Sequence, residues 1–298
     1  MTFNSFDRVS PIPALQPFLP TLKSAFKRPL LSRAFLRSAR FFFYITHTQR
    51  ILIDAGIETR WLNDFNLFWR HILNGRPLKL PDFHYLHGSY RSLFQSLETP
   101  ESDDPSVFLD SWQESRSIFQ LFNSVRRFAY EPLHGLQFER WVNNGDSLLE
   151  YGCGFATITE SLLRYTLKTN LTYSIADINQ INSRYAEWRL SQSSVNYIHI
   201  TPFVSPPLPI CSFDVIFLIT VLEHLPDPLQ VVQQLTSLLK PSGRLVFDYI
   251  LGDGDGQDTQ AAIDQRQEVL SYLSQHYRLL YGSYSIDSSM STTVLQKL

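Results

Sequence analysis

"LLEYGCGFATITESLL" (148–163) decides how this chain is read. An apolar run ending in Glu150 meets a turn with Gly152 and Gly154, and a segment with apolar residues at helical spacing leaves it. Strand, glycine turn and helix in that order open a nucleotide-binding α/β unit, whose ligands sit outside the carboxyl ends of the strands. A dinucleotide turn reads G-x-G-x-x-G and would need a third glycine at position 157, where this chain has Thr157. Glu150, two residues before the first glycine, would repel a pyrophosphate and attract a cation. The turn therefore favours a ligand with a positive head.

Outward from the turn, strand-length apolar runs alternate with helical segments. Strands are expected at 147–151, 171–177, 195–200, 214–219 and 244–250, with helices at 157–167, 180–192, 228–240 and about 258–275. This spacing predicts an α/β fold with a doubly wound, mostly parallel Rossmann-like sheet. "YRLLYGSYSI" and "STTVLQKL" in the tail are expected to add antiparallel strands at one edge. Residues 20–125 read as helical, broken at Pro29, Pro77, Pro81, Pro100 and Pro105, and "ETPESDDPS" (98–106) reads as an exposed loop. We expect residues 1–126 to form a helical, acceptor-binding cap and residues 127–298 the nucleotide-binding domain.

The bulk composition restricts the function classes. The 298 residues are 44% apolar and 18% charged, as in a globular protein. Cys153 and Cys211 form no Cys-x-x-Cys pair and argue against a disulfide framework or a structural zinc site. With no signal-like start and no 20-residue apolar run, a cytoplasmic setting is expected. Residues 1–50 hold eight Lys or Arg against Asp7 alone, so this stretch carries +7 and the remainder −9. Arg33, Arg37 and Arg40 lie on one helix face, expected to be solvated; its functional reading is contact with an anionic membrane, an acidic protein or nucleic acid phosphates.

The blocks "LLEYGCGFAT", "ADIN", "SFDVIFLITVLEHLPDP" and "LLKPSGRLVFDYI" together resemble a class I S-adenosylmethionine (SAM)-dependent methyltransferase, within the branch of ubiquinone- and menaquinone-biosynthesis enzymes. The resemblance covers about residues 127–298. It implies SAM as cofactor and S-adenosylhomocysteine as product. It also implies that Glu150, Gly152, Cys153 and Gly154 contact the methionine end, that Asp177 and Ile178 contact ribose and adenine, and that Thr220 lies near the methyl group. Asp177 closes the second apolar run, where an acid can accept both ribose hydroxyls. Two departures stand out: the third glycine of the family's turn is Ala156, and the acid expected after the third strand is missing from "ITPFVSPPLPICSFD". Backbone groups near Phe203 and Val204 are then expected to hold adenine.

Methyl transfer needs in-line alignment and exclusion of water rather than a covalent intermediate. In "LEHLPDP", Glu223 and His224 either tie the loop after strand four or supply His224 as a general base for an acceptor hydroxyl. Asp253 and Asp255 in "GDGDGQD" lack the later acid of a calcium loop and read as part of a mobile loop. His84 and His87 in "FHYLHG" lack a third ligand, so no metal is expected. "TVLEH" stands where an "NPPY" or "DPPY" would suit DNA or glutamine methylation, which argues against both. The leading expectation is a hydrophobic small-molecule acceptor under an aromatic-walled cap. An RNA- or protein-directed methyltransferase using the basic N-terminus, and a non-catalytic SAM-binding or membrane-associated protein, remain open.

Overall fold

The computed structural model describes residues 30–96, 118–130, 133–201, 209–252 and 258–298. The helices α1 (Leu30–Ile45), α2 (Thr48–Asp54), α3 (Arg60–His71), α4 (Leu80–Ser96) and α5 (Ile118–Tyr130) precede a 3-10 segment, His134–Trp141. Strands and helices then alternate: β1 (Ser147–Tyr151), α6 (Thr157–Tyr165), β2 (Thr172–Asp177), α7 (Ile181–Leu190), β3 (Val195–His199), β4 (Phe213–Leu218), α8 (Pro228–Leu238) and β5 (Leu239–Tyr249). The chain ends with α9 (Gln260–Asp264), α10 (Arg266–His276), β6 (Tyr277–Tyr281) and β7 (Met290–Lys297). Among the described residues no helix is long and apolar enough to cross a membrane.

The seven strands form one sheet in the order β3-β2-β1-β4-β5-β7-β6. β1 to β5 are parallel, and β7 runs antiparallel between β5 and β6, at the edge expected for the tail. Order reverses between β1 and β4, and the crevice at that switch point is where an α/β sheet takes its ligand. Two expectations need correction. β5 begins at Leu239 rather than 244, because residues 240–243 bulge out of the β4–β5 ladder and Ser242 adopts φ 62°, a break that the Pro-Ser-Gly signal disguised. The expected helix at 258–275 is two helices meeting at Gln265, beside which the buried Arg266 guanidinium donates to the carbonyls of Tyr249, Ser285 and Ser288.

Many of the rings of α3 to α5 pack against one another. Phe65 and Phe68 of α3, Phe83 of α4 and Phe122 of α5 are fully buried in one cluster with Phe155, Tyr185 and Trp188. Burial of each such ring contributes about 1.5–3 kcal/mol, which seats α3 to α5 on α7 and on the glycine turn. A buried ionic group reinforces the seat between α6 and α7: Glu160 pairs with Arg164 at 2.7 Å and with Arg189, whose guanidinium lies over the Tyr185 ring. Helix α5 runs through the expected 126/127 boundary without a break.

The basic stripe of α1 faces the opposite way from expectation. Leu31 and Phe35 are 87% and 73% exposed, and Phe42 continues that outer stripe, whereas Arg33, Arg37 and Arg40 are only partly exposed. Arg37 turns inward because Glu139 is there: its Nη1 donates to Glu139 Oε2 at 2.6 Å, while Oε1 accepts from Thr166 Oγ1 (2.7 Å) and Leu167 N (2.8 Å). Arg40 donates to Gln49. Burial raises the Glu139 pKa, but these donors together outweigh it and hold it below the ordinary value. Glu139→Ala is expected to destabilise the fold by about 2–3 kcal/mol, since it strands buried donors and a cation. Urea unfolding measures this, and a loss within experimental error would contradict the role given to Glu139.

Candidate functional site

A cavity of about 510 Å³ opens at the carboxyl edge of β1, β2 and β4, with α5, α6 and α8 residues around it. Its floor is the glycine turn. Gly152, Gly154 and Ala156 all take left-handed backbone, with φ 63°, 47° and 52°. A Cβ on Gly152 would meet Val221 Cγ2 at 2.5 Å, so the turn packs directly on the segment after β4. A Cβ on Gly154 would meet nothing within 4 Å, which leaves the backbone open to a ligand. Ala156 keeps the turn at the strain cost of a non-glycine residue, about 1–2 kcal/mol, and starts α6.

Glu150 and Asp177 come together here from adjacent strands, as expected, but each also works inside the protein. Glu150 Oε2 accepts from Thr159 N at 2.8 Å and Oε1 from Ile158 N at 3.3 Å, so its carboxylate holds the α6 N-terminus. Asp177 Oδ2 accepts from Gly154 N at 2.6 Å; Oδ1 accepts from Ile178 N (2.7 Å) and Gln180 Nε2 (2.9 Å). Asp177 is thus the clasp between β2 and the glycine turn. Burial pushes Glu150 up to about 7 and Asp177 up to about 6. Cys153 sits beneath the turn, its amide bonded to Ala176 O, and burial beside Asp177 and Glu150 raises its thiol pKa further. Ile178 supplies an apolar wall.

On the β4 side, Thr220 lines the cavity with φ 56°, a strained conformation for a β-branched residue. Asp248 on β5 holds it there by accepting its N–H at 2.6 Å. His224 lines the same wall. Its Nδ1 lies 3.4 Å from Asp258 Oδ1, and its Nε2 lies 3.9 Å from Glu223 Oε1. The segment after Asp258 is pinned to this loop, since Thr259 N donates to Glu223 O and Thr259 Oγ1 to Leu225 O. Phe203, Val204, Asp253 and Asp255 fall outside the described residues. His84 and His87 do not reach the cavity; His87 stacks on Phe119.

Sequence reasoning missed several residues of this site. α5 presents Gln120, Asn123 and Ser124 to the cavity and α8 presents Gln230 and Gln234, so the wall opposite the turn is rich in carboxamides. The aromatic wall expected from the cap is not there among the described residues, because those rings fill the α3–α5 cluster. Gln180 had a signal, the capping-box partner Ser183 three residues on. Asp258 had none, being 34 positions from His224.

Three carboxylates, Glu150, Asp177 and Asp227, line the cavity, and among the described residues no Lys or Arg does. Such a lining suits a ligand carrying an ammonium and a sulfonium and opposes a diphosphate. With the glycine turn, the clasping acid on β2 and this strand order, it defines a SAM-binding methyltransferase domain of class I. Residues 149–245 match the family model of a methyltransferase domain, and SAM is the cofactor of that class.

Among curated proteins, the chain is 30% identical over 131 residues to a ubiquinone biosynthesis O-methyltransferase of Paraburkholderia phymatum, covering 40% of this chain and 53% of that protein. It is 29% identical over 165 residues to the Histophilus somni protein of the same name, covering 52% of this chain and 65% of that one. The chain therefore spans less than two thirds of the length of these relatives. A solved SAM-dependent methyltransferase from Aquifex aeolicus aligns with TM-score 0.44 and 16% identity, over 65% of this chain and 99% of the other.

Proposed function

We propose that the chain transfers the methyl group of SAM to a small-molecule acceptor bound between the N-terminal helices and the carboxyl edge of the sheet. The supporting observation is the acid-lined cavity, which among the described residues has no Lys or Arg, at the β1/β4 switch point of a matched methyltransferase domain. In this reading residues 1–126 carry the acceptor side and residues 127–298 the cofactor side, a functional division that α5 crosses. Glu150 and Asp177 supply negative charge to the cationic cofactor, and the turn at Gly152, Cys153 and Gly154 lets it approach the backbone. The relatives are O-methyltransferases by name, and an oxygen acceptor is part of the proposal.

The acceptor we propose has an apolar body for Ile219, Val221 and Val231 and polar groups for the carboxamides of α5 and α8. His224 takes the hydroxyl proton as the oxygen attacks the methyl carbon; the carbon–sulfur bond breaks and neutral S-adenosylhomocysteine leaves. Asp258 favours the tautomer with the proton on Nδ1, which leaves Nε2 as the base. A cytoplasmic setting, in keeping with the free Cys153 and Cys211, belongs to the same proposal.

The test is incubation of the purified chain and methyl-labelled SAM with a metabolite extract of the source cells, read by mass spectrometry for compounds gaining one methyl group. Label in small molecules is the expected result, and label confined to RNA or protein would overturn the acceptor class. His224→Gln is expected to lower labelling about 100-fold while leaving S-adenosylhomocysteine affinity unchanged. Undiminished labelling would remove His224 from the chemistry.

A further inference from the structure

Exposed aromatic side chains gather on one helix. On α1, Leu31, Phe35 and Phe42 fall at i, i+4 and i+11 and form an outward stripe, with exposed Ser38 between them. Phe41 and Phe43 flank the stripe and are exposed as well. The inner face of α1 is committed, because the helix lies against α6 and Arg37 is tied to Glu139. Turning the helix to hide its rings would leave the buried Glu139 carboxylate without that cation. The rings therefore stay outside. Apolar residues scattered singly over a surface need no explanation, but a contiguous stripe marks an interaction site.

The charge around the stripe indicates what covers it. Residues 8–53 hold eight Lys or Arg and no Asp or Glu, whereas residues 51–298 carry a net −9. Lys23, Lys27 and Arg28 immediately precede α1, in a part of the chain outside the described residues, and Arg50 is exposed beside the exposed Ile51 on α2. Arg33 and Arg40 are partly exposed on the far side of α1. A helix is about 10 Å across, close to the screening length at physiological salt, so these cations still feel an anionic layer that takes up the rings. Nucleic acid would satisfy the cations but offers no apolar interior to a Phe stripe. A convex row of large rings fits a fluid apolar layer without needing a matching groove.

We propose that α1 is an interfacial helix that seats the protein on an anionic lipid bilayer, with Leu31, Phe35 and Phe42 at the boundary of headgroups and acyl chains. The basic N-terminal segment is drawn to the surface and the acidic remainder is turned away from it, which fixes the orientation of the bound molecule. The helix lies on the bilayer and does not span it, as no described helix is long and apolar enough to cross one. This contact is independent of the methyl transfer proposed above.

The test is sedimentation of the full chain with vesicles of phosphatidylcholine alone and of phosphatidylcholine with one third phosphatidylglycerol. The wild type is expected to bind the anionic vesicles about tenfold or more tightly than the neutral ones. The triple variant Leu31→Ser, Phe35→Ser and Phe42→Ser is expected to lose about tenfold or more on the anionic vesicles, and Phe35→Ser alone to fall between. Thermal melting checks that each variant is folded, and the single variant carries the comparison if the triple one is not. Replacing Lys23, Lys27 and Arg28 by Gln is expected to weaken binding to anionic vesicles only. No binding, equal binding to both kinds of vesicle, or undiminished binding by the serine variants would overturn the proposal. Self-association that the serine variants abolish, with no binding to vesicles, would assign the stripe to a second copy of the chain and overturn it equally.

Discussion

Asp177→Ala is expected to weaken S-adenosylhomocysteine binding by about 100-fold or more, the largest effect of any single change on cofactor affinity. The carboxylate does two jobs. It draws Gly154 N to 2.6 Å and so sets the turn, and it lines the cavity, where in the proposed function it accepts from the ribose hydroxyls. Alanine abolishes both, whereas Asp177→Asn keeps one acceptor oxygen and should fall between. Calorimetry on the three chains checks the order, and equal affinities would show that the clasp is not part of the binding site.

The same carboxylates give binding a pH dependence. Burial raises Asp177 to about 6 and Glu150 to about 7, so the free protein holds these protons further into the neutral range than an exposed acid would. A cationic ligand prefers the ionised forms, so SAM binding releases protons and its affinity rises between about pH 5.5 and 7.5. An affinity that is flat across this window would contradict the electrostatic role of the pair.

Glu223→Gln is expected to produce the largest pH-dependent change in stability. Glu223 is 2% exposed, and neither carboxyl oxygen finds a hydrogen-bond donor. Burial, reinforced by the nearby Asp248 and Asp258, pushes its pKa up to about 8 from an ordinary 4.5. A raised carboxyl pKa means that the folded chain keeps a proton the unfolded chain has lost. Its contribution is therefore complete below about 4.5 and is lost as pH rises through about 8. The loss is on the order of 3–5 kcal/mol. Glutamine cannot ionise, so the difference in unfolding free energy between variant and wild type should grow in the variant's favour from pH 5 to pH 9. Urea unfolding at four pH values measures it, and parallel pH profiles would show that Glu223 ionises normally.

The part of the site legible in advance was the part built from neighbours in sequence. Glu150, Gly152, Gly154 and Asp177 could be placed because strand, turn and strand end are short-range features whose geometry follows from local backbone rules. The five parallel strands followed from the alternation of strands and helices, and the antiparallel edge from two strand-length runs in the tail. The orientation of α1 could not be read this way. Its arginines and its apolar residues both repeat at helical spacing, and only the position of Glu139, 102 residues beyond Arg37, decides which stripe turns inward. Among the described residues, the N-terminal rings expected to wall the cavity pack in the α3–α5 cluster instead, since periodicity shows that a residue is buried and not what it is buried against.

The amino-acid sequence by itself determined the class of sheet, the glycine turn and the negative charge at its mouth, because backbone freedom, side-chain period and formal charge are properties of the chain. Only the tertiary structure decided that Asp177 clasps Gly154, that Asp258 stands beside His224, that carboxamides wall the cavity, and that Glu223 is buried without a hydrogen-bond donor. Each of those is a contact between segments far apart in the sequence or a hydrogen bond left unmade, and which donors reach which acceptors is settled by packing.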